Sequence, residues 1–83
     1  MGFIKDAKAA AVGTDAKKAW DEGATFFTPV LNYPGFRGGI SGRIADWELM
    51  IAAIVEVGWR MHTWSVASDN QGRPQAMPLF DRP

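Results

Sequence analysis

Ser41-Gly42-Arg43-Ile44-Ala45-Asp46-Trp47-Glu48-Leu49-Met50-Ile51-Ala52-Ala53-Ile54-Val55-Glu56-Val57-Gly58-Trp59-Arg60-Met61 reads as an amphipathic helix, a glycine stop and an immediate strand. Ser41 is the expected N-cap, since its hydroxyl can accept a bond from one of the free N–H groups of the first turn. Steps of 100° put Ile44, Trp47, Ile51, Ile54 and Val55 on one stripe, with Met50 and Val57 at its edge. Gly58 stands where a left-handed C-cap residue belongs. From Trp59 a period of two puts Trp59, Met61, Thr63 and Ser65 on one side of a strand, with Arg60, His62, Trp64 and Val66 on the other.

Downstream, Ser68-Asp69-Asn70-Gln71-Gly72 has the composition of a hairpin loop, and Gln75-Ala76-Met77-Pro78-Leu79-Phe80 is the returning strand. Pro74 and Pro78 lack backbone donors, which predicts that this strand lies at a sheet edge. Upstream, Thr25-Phe26-Phe27-Thr28-Pro29-Val30-Leu31-Asn32 suits a strand, and Pro29 predicts that it lies at the side of the sheet or carries a break. The first segment, about Phe3 to Glu22, is rich in Ala and Lys and ends before Gly23, as a capped helix does. Its stripe is Ala9, Val12, Ala16, Ala19 and Trp20, thin enough that the helix must dock on something to stay formed.

The expected class is therefore α+β. An N-terminal amphipathic helix, residues 1–23, precedes a small α+β domain, residues 24–83. In that domain a strand, a helix and a hairpin make a three-stranded, mainly antiparallel sheet with a helix on one face. The first helix either covers the second face or reaches a partner.

The apolar helix, the Gly58-Trp59-Arg60-Met61 junction, the loop at Asn70-Gln71-Gly72 and the ending Leu79-Phe80-Asp81-Arg82-Pro83 together resemble a group of small bacterial domains of unknown function. In that group a glycine-tryptophan pair joins a helix to a β-hairpin ending in an aromatic-basic tail. The resemblance covers about residues 25 to 82 and implies the helix-hairpin fold. It brings no catalytic or ligand residues with it.

Composition narrows the function classes. The chain has 83 residues and 47% apolar residues, and it includes four Trp and five Phe. One domain of this length buries only roughly 60% of its unfolded surface, so self-association is a natural way to bury more. Nine basic residues balance nine acidic ones, and that neutrality disfavours nucleic acid and anionic bilayers as partners. Without Cys there is no disulfide, thiolate metal site or Cys nucleophile, and a cytoplasmic setting is expected. No window approaches the ~20 apolar residues of a membrane span, and Asp6 stands where an N-myristoylation pattern wants Ser or Thr. The gene could belong to a bacterium or a phage.

His62 is the only histidine, and a general-base or metal role would need Asp46, Glu48 or Asp69 beside it. No nucleophile with its base accompanies it, so neither enzyme activity nor a metal or cofactor is expected. Gly35, Gly38, Gly39 and Gly42, with Arg37 and Arg43, form a weak phosphate cradle ahead of the second helix; Arg37, Gly38, Gly39 and Arg43 are the candidate anion site. Of the four Trp residues, Trp47 and Trp59 suit the core. Trp64, beside Arg60, suits a surface contact. Phe3 and Ile4 fall off the first helix's stripe and suggest docking into a neighbouring subunit. The reading that joins these observations is a non-enzymatic interaction module forming a homo-oligomer, with a further protein partner also considered. Its contact residues are Phe3, Ile4, Val12, Trp20, Arg60 and Trp64. The alternative is a small-ligand or anion-binding domain built on the Gly-rich loop.

Overall fold

The computed structural model describes residues 3–33 and 42–83, with side chains from residue 8 onward. Helix α1, Phe3–Asp21, ends where the Ala/Lys run ends. Gly23 adopts φ 80°, its N–H donates to the Trp20 carbonyl, and the Ala24 N–H donates to the Ala19 carbonyl. That pair of bonds is a Schellman turn, and it satisfies carbonyls that the helix itself leaves open.

Helix α2, Ala45–Val57, starts later than the hydroxyl of Ser41 would place it. Its N-cap is Ile44, with no side-chain cap bond, and Ser41 lies outside the described residues. Charge takes the place of a cap: Asp46 and Glu48 sit in the first turn, where carboxylates favour the positive end of the helix dipole. Ile44 meanwhile packs against the cluster of Leu31, Trp47, Met50 and Ala76.

Four strands complete the described chain: β1, Phe26–Phe27; β2, Leu31–Asn32; β3, Arg60–Ser68; and β4, Pro74–Asp81. β1 and β2 are the two halves of the predicted first strand, parted at Pro29. Both pair antiparallel with β4, Phe27 opposite Phe80 and Leu31 opposite Ala76. β3 pairs antiparallel with the other side of β4. The sheet is thus a three-lane antiparallel array, as expected, but its centre is β4.

That position corrects the expectation that Pro74 and Pro78 mark β4 as an edge. A strand residue projects its N–H and C=O to the same side. The Pro74 carbonyl accepts the Tyr33 N–H, and the Pro78 carbonyl accepts the Thr28 hydroxyl at 2.9 Å. Both prolines therefore direct their donorless nitrogens towards the β1/β2 side. There Pro78 meets the break at residues 28–30, where no ladder bond is required of it.

The intervening β4 residues Gln75, Met77 and Leu79 face β3, opposite Ala67, Ser65 and Thr63. Between Met61 and Thr63 the register shifts by one residue, a β-bulge at His62. The bulge resets the alternation, so the period of two read from the sequence fails at this point. Met61 lies opposite Phe80, and Trp64 and Val66 lie opposite Pro78 and Ala76. Cross-strand partners share a face, so all three side chains point to the same side of the sheet.

Both helices pack on that side. Ala16, Ile54, Trp59 and Phe80 are buried together, with Val12, Ala19, Trp20, Phe27 and Met61 around them. The predicted α1 stripe is thus spent on the chain's own core. The change at residue 23 is a change of element within one core, not a boundary between two. Gly13 permits close helix approach: a Cβ there would lie 3.4 Å from the Ala53 Cβ. Trp59 anchors the sheet to α1 by donating its indole N–H to the Ala16 carbonyl at 2.9 Å, and Trp47 donates similarly to the Asn32 carbonyl at 2.8 Å.

Candidate interaction surface

β3 borders the sheet. Since Thr63, Ser65 and Ala67 turn their main-chain groups to β4, Trp64 and Val66 turn theirs outward, away from the sheet. Their side chains lie on the helix face near this border, Trp64 47% exposed and Val66 53% exposed. Trp64 meets Trp47 of α2 edge-on, with ring centroids 5.9 Å apart. It therefore does not lie opposite Trp59 as the sequence period implies; the extra residue at His62 brings it over to the helix side. Trp64 remains at the surface because no element lies beyond β3 among the described residues.

Arg60 and His62 meet around Asp81 on the opposite face. The Arg60 Nε donates to the Asp81 carboxylate at 3.1 Å, and His62 Nδ1 stands 3.6 Å from its other oxygen. The Arg60 hydrogen bond holds the Asp81 carboxyl below the usual range, against the opposing effect of desolvation and with lesser help from the charges of Arg60 and His62. His62 thus finds Asp81, and not the Asp46, Glu48 or Asp69 considered from the sequence. Asp46 faces Lys8 at 3.6 Å, and Glu48 is clasped by Arg43. Asp69 accepts the backbone N–H groups of Gln71 and Arg73 at 2.8 and 2.9 Å. Those bonds, that of Arg73 foremost, hold the Asp69 carboxyl low.

Of the candidate anion site, Arg37, Gly38 and Gly39 lie outside the described residues. Arg43 is described, and Glu48 is its partner; the Arg43 guanidinium in turn pulls the Glu48 carboxyl down. Any anion at Arg43 would compete with that carboxylate. Of the proposed contacts on α1, Val12 and Trp20 pack within the core, and Phe3 and Ile4 belong to the turn whose side chains are not described.

Two further features were not read from the sequence. The sheet face away from the helices carries Phe26, 56% exposed, with Met77 and Leu79 half-buried beside it. Arg82 caps α1: its guanidinium donates to the Trp20 and Ala24 carbonyls at 2.7 Å and lies over the Trp20 ring, 4.2 Å from the centroid. The aromatic-basic tail is in this way a structural clasp.

Among the described residues no group of three or more His, Asp or Glu side chains could hold a metal, and no helix is long and apolar enough to cross a membrane. Compared with family models, curated proteins and solved structures, the chain matches none.

Proposed function

We propose that this chain is a non-enzymatic interaction module that self-associates, and that its contact surface is the β3 border rather than the α1 stripe. One observation carries the reading. The border offers outward main-chain donors and acceptors beside two half-exposed apolar side chains, Trp64 and Val66. Natural sheets usually cover, twist or charge such an edge. Here the bulge, Arg60 and His62 all cluster at one end, and Thr63 to Ser68 are left uncharged. A cytoplasmic setting belongs to the same reading, since a chain without Cys calls for no oxidising compartment.

The test is solution mass as a function of concentration, by sedimentation or light scattering, for the full chain and for Val66→Lys. The expected result is a mass that rises with concentration for the native chain and stays near that of one copy for the variant. A native chain that remains a monomer into the high micromolar range overturns the proposal.

A further inference from the structure

Resting on that reading of β3 as the contact surface, we infer that the partner is a second copy of this chain, and that two β3 strands pair antiparallel about a two-fold axis passing beside Ser65. Of the elements a protein partner could offer, an extended strand is the one that replaces water along a row of outward N–H and C=O groups at this spacing. β3 itself is such a strand. Antiparallel pairing of identical edges is self-complementary, as a closed two-fold contact requires. From Thr63 to Ser68 it sets no like charges against each other.

The side chains select the register. The bulge at His62 ends the regular stretch on one side and leaves two symmetric overlaps of five unbulged residues, Thr63 to Ala67 centred on Ser65 and Trp64 to Ser68 centred on Val66. Only the first sets Trp64 against Val66, where the second sets it against Ser68. Around Ser65, Trp64 of each copy stands opposite Val66 of the other. Since both residues direct their main-chain groups outward, each forms a hydrogen-bonded pair. The two exposed apolar side chains of the border then become cross-strand aromatic and β-branched partners, a favourable combination. Centring on Trp64 instead would set Val66 against the bulged His62 and interrupt the ladder. On the opposite face Thr63 would lie over Ala67, and Ser65 over its own copy. The product is one continuous antiparallel sheet running through both copies, with both helix layers on the same face of it. A contact of this length buries less than about 1,200 Å² in total, the class of weak, concentration-dependent association.

Ser65 gives a register-specific test because the chain has no Cys. A non-hydrogen-bonded pair at the axis brings its two Cα atoms to about 4.5 Å, within disulfide range. Ser65→Cys is expected to form a disulfide-linked dimer under mild oxidation, several-fold faster than Ala67→Cys, whose thiols would lie on opposite sides of the axis. Val66→Pro removes only an outward donor and is expected to yield a monomer, its fold checked by near-ultraviolet circular dichroism. Should Val66→Pro fail to fold, the two cysteine rates still decide the matter. A native dimer in which Ser65→Cys links no faster than Ala67→Cys overturns this pairing and leaves self-association standing. A native chain monomeric at every concentration overturns both.

Discussion

Gly58 closes helix α2 directly against the indole of Trp20: a Cβ on Gly58 would lie 2.8 Å from the ring's Cη2. The same residue holds φ at 133°, a conformation that side chains resist. Gly58→Ala therefore meets two independent penalties, backbone strain and overlap with a ring that Arg82 and Trp59 hold in place. We expect the variant to lose about 2 to 4 kcal/mol, which is the range of overpacked cores and strained backbone together. Urea unfolding monitored by Trp fluorescence reads this directly. A loss below about 0.5 kcal/mol, the range of ordinary surface substitutions, would mean that the junction tolerates a side chain.

Arg82 offers a second check on the core. Its guanidinium bonds two carbonyls at the end of α1 and stacks on Trp20, a planar fork that an ammonium cannot copy. Arg82→Ala should cost about 2 kcal/mol, from the charged hydrogen bonds and the ring contact together. Arg82→Lys should recover less than half of it. Equal stability of the Lys variant and the native chain would show that charge alone matters at this helix end.

Acid sensitivity follows from Asp69 and Asp81. Both carboxyls titrate below their ordinary range in the folded chain, Asp69 through the Arg73 and Gln71 N–H groups and Asp81 through Arg60. A carboxyl whose folded pKa is depressed contributes stability above its unfolded pKa, and that contribution is lost as pH falls through the folded value. Stability should accordingly decline as pH falls below about 4, the ordinary Asp range. In Asp69→Asn the decline should be shallower, because one of the titrating contributions is absent, while those of Asp81 and Glu48 remain. Midpoints of urea unfolding at a series of acid pH values test this; parallel curves for the variant and the native chain would remove Asp69 from the explanation.

What the sequence discloses here is what is decided locally. The α1 stripe, the Schellman glycine at Gly23 and the Gly58 junction each depend on residues within one or two turns, and each is found where the pattern places it. The sheet order is not local. Pro74 and Pro78 rule out ladder donors on one side of β4 only, and which side that is depends on Thr28 and Tyr33, more than forty residues earlier in the chain. The candidate surface was hidden for the same reason. Trp64 could be picked out as a surface aromatic, but its face depends on a one-residue bulge, and the openness of its edge depends on β4 being central. The start of α2 departs from the local signal for a smaller cause. A hydroxyl at Ser41 is a stronger local signal than Ile44, yet packing of Ile44 and first-turn carboxylates determine the start.

The bulge makes a last prediction that separates pattern from geometry. His62 is the extra residue opposite the Leu79–Phe80 step, so deleting it leaves Met61, Trp64 and Val66 on the helix face and straightens the strand. The deletion variant should fold and retain the Trp47–Trp64 ring contact, visible as an unchanged near-ultraviolet circular dichroism band. It should lose the His62 contact with Asp81. Because a bulge is one of the devices that keep sheet edges from pairing, the shortened strand should also self-associate at lower concentration than the native one. If Trp64 instead followed the uninterrupted period of two, the deletion would reverse its face, abolish the contact with Trp47 and expose the ring, with a red-shifted emission to show it.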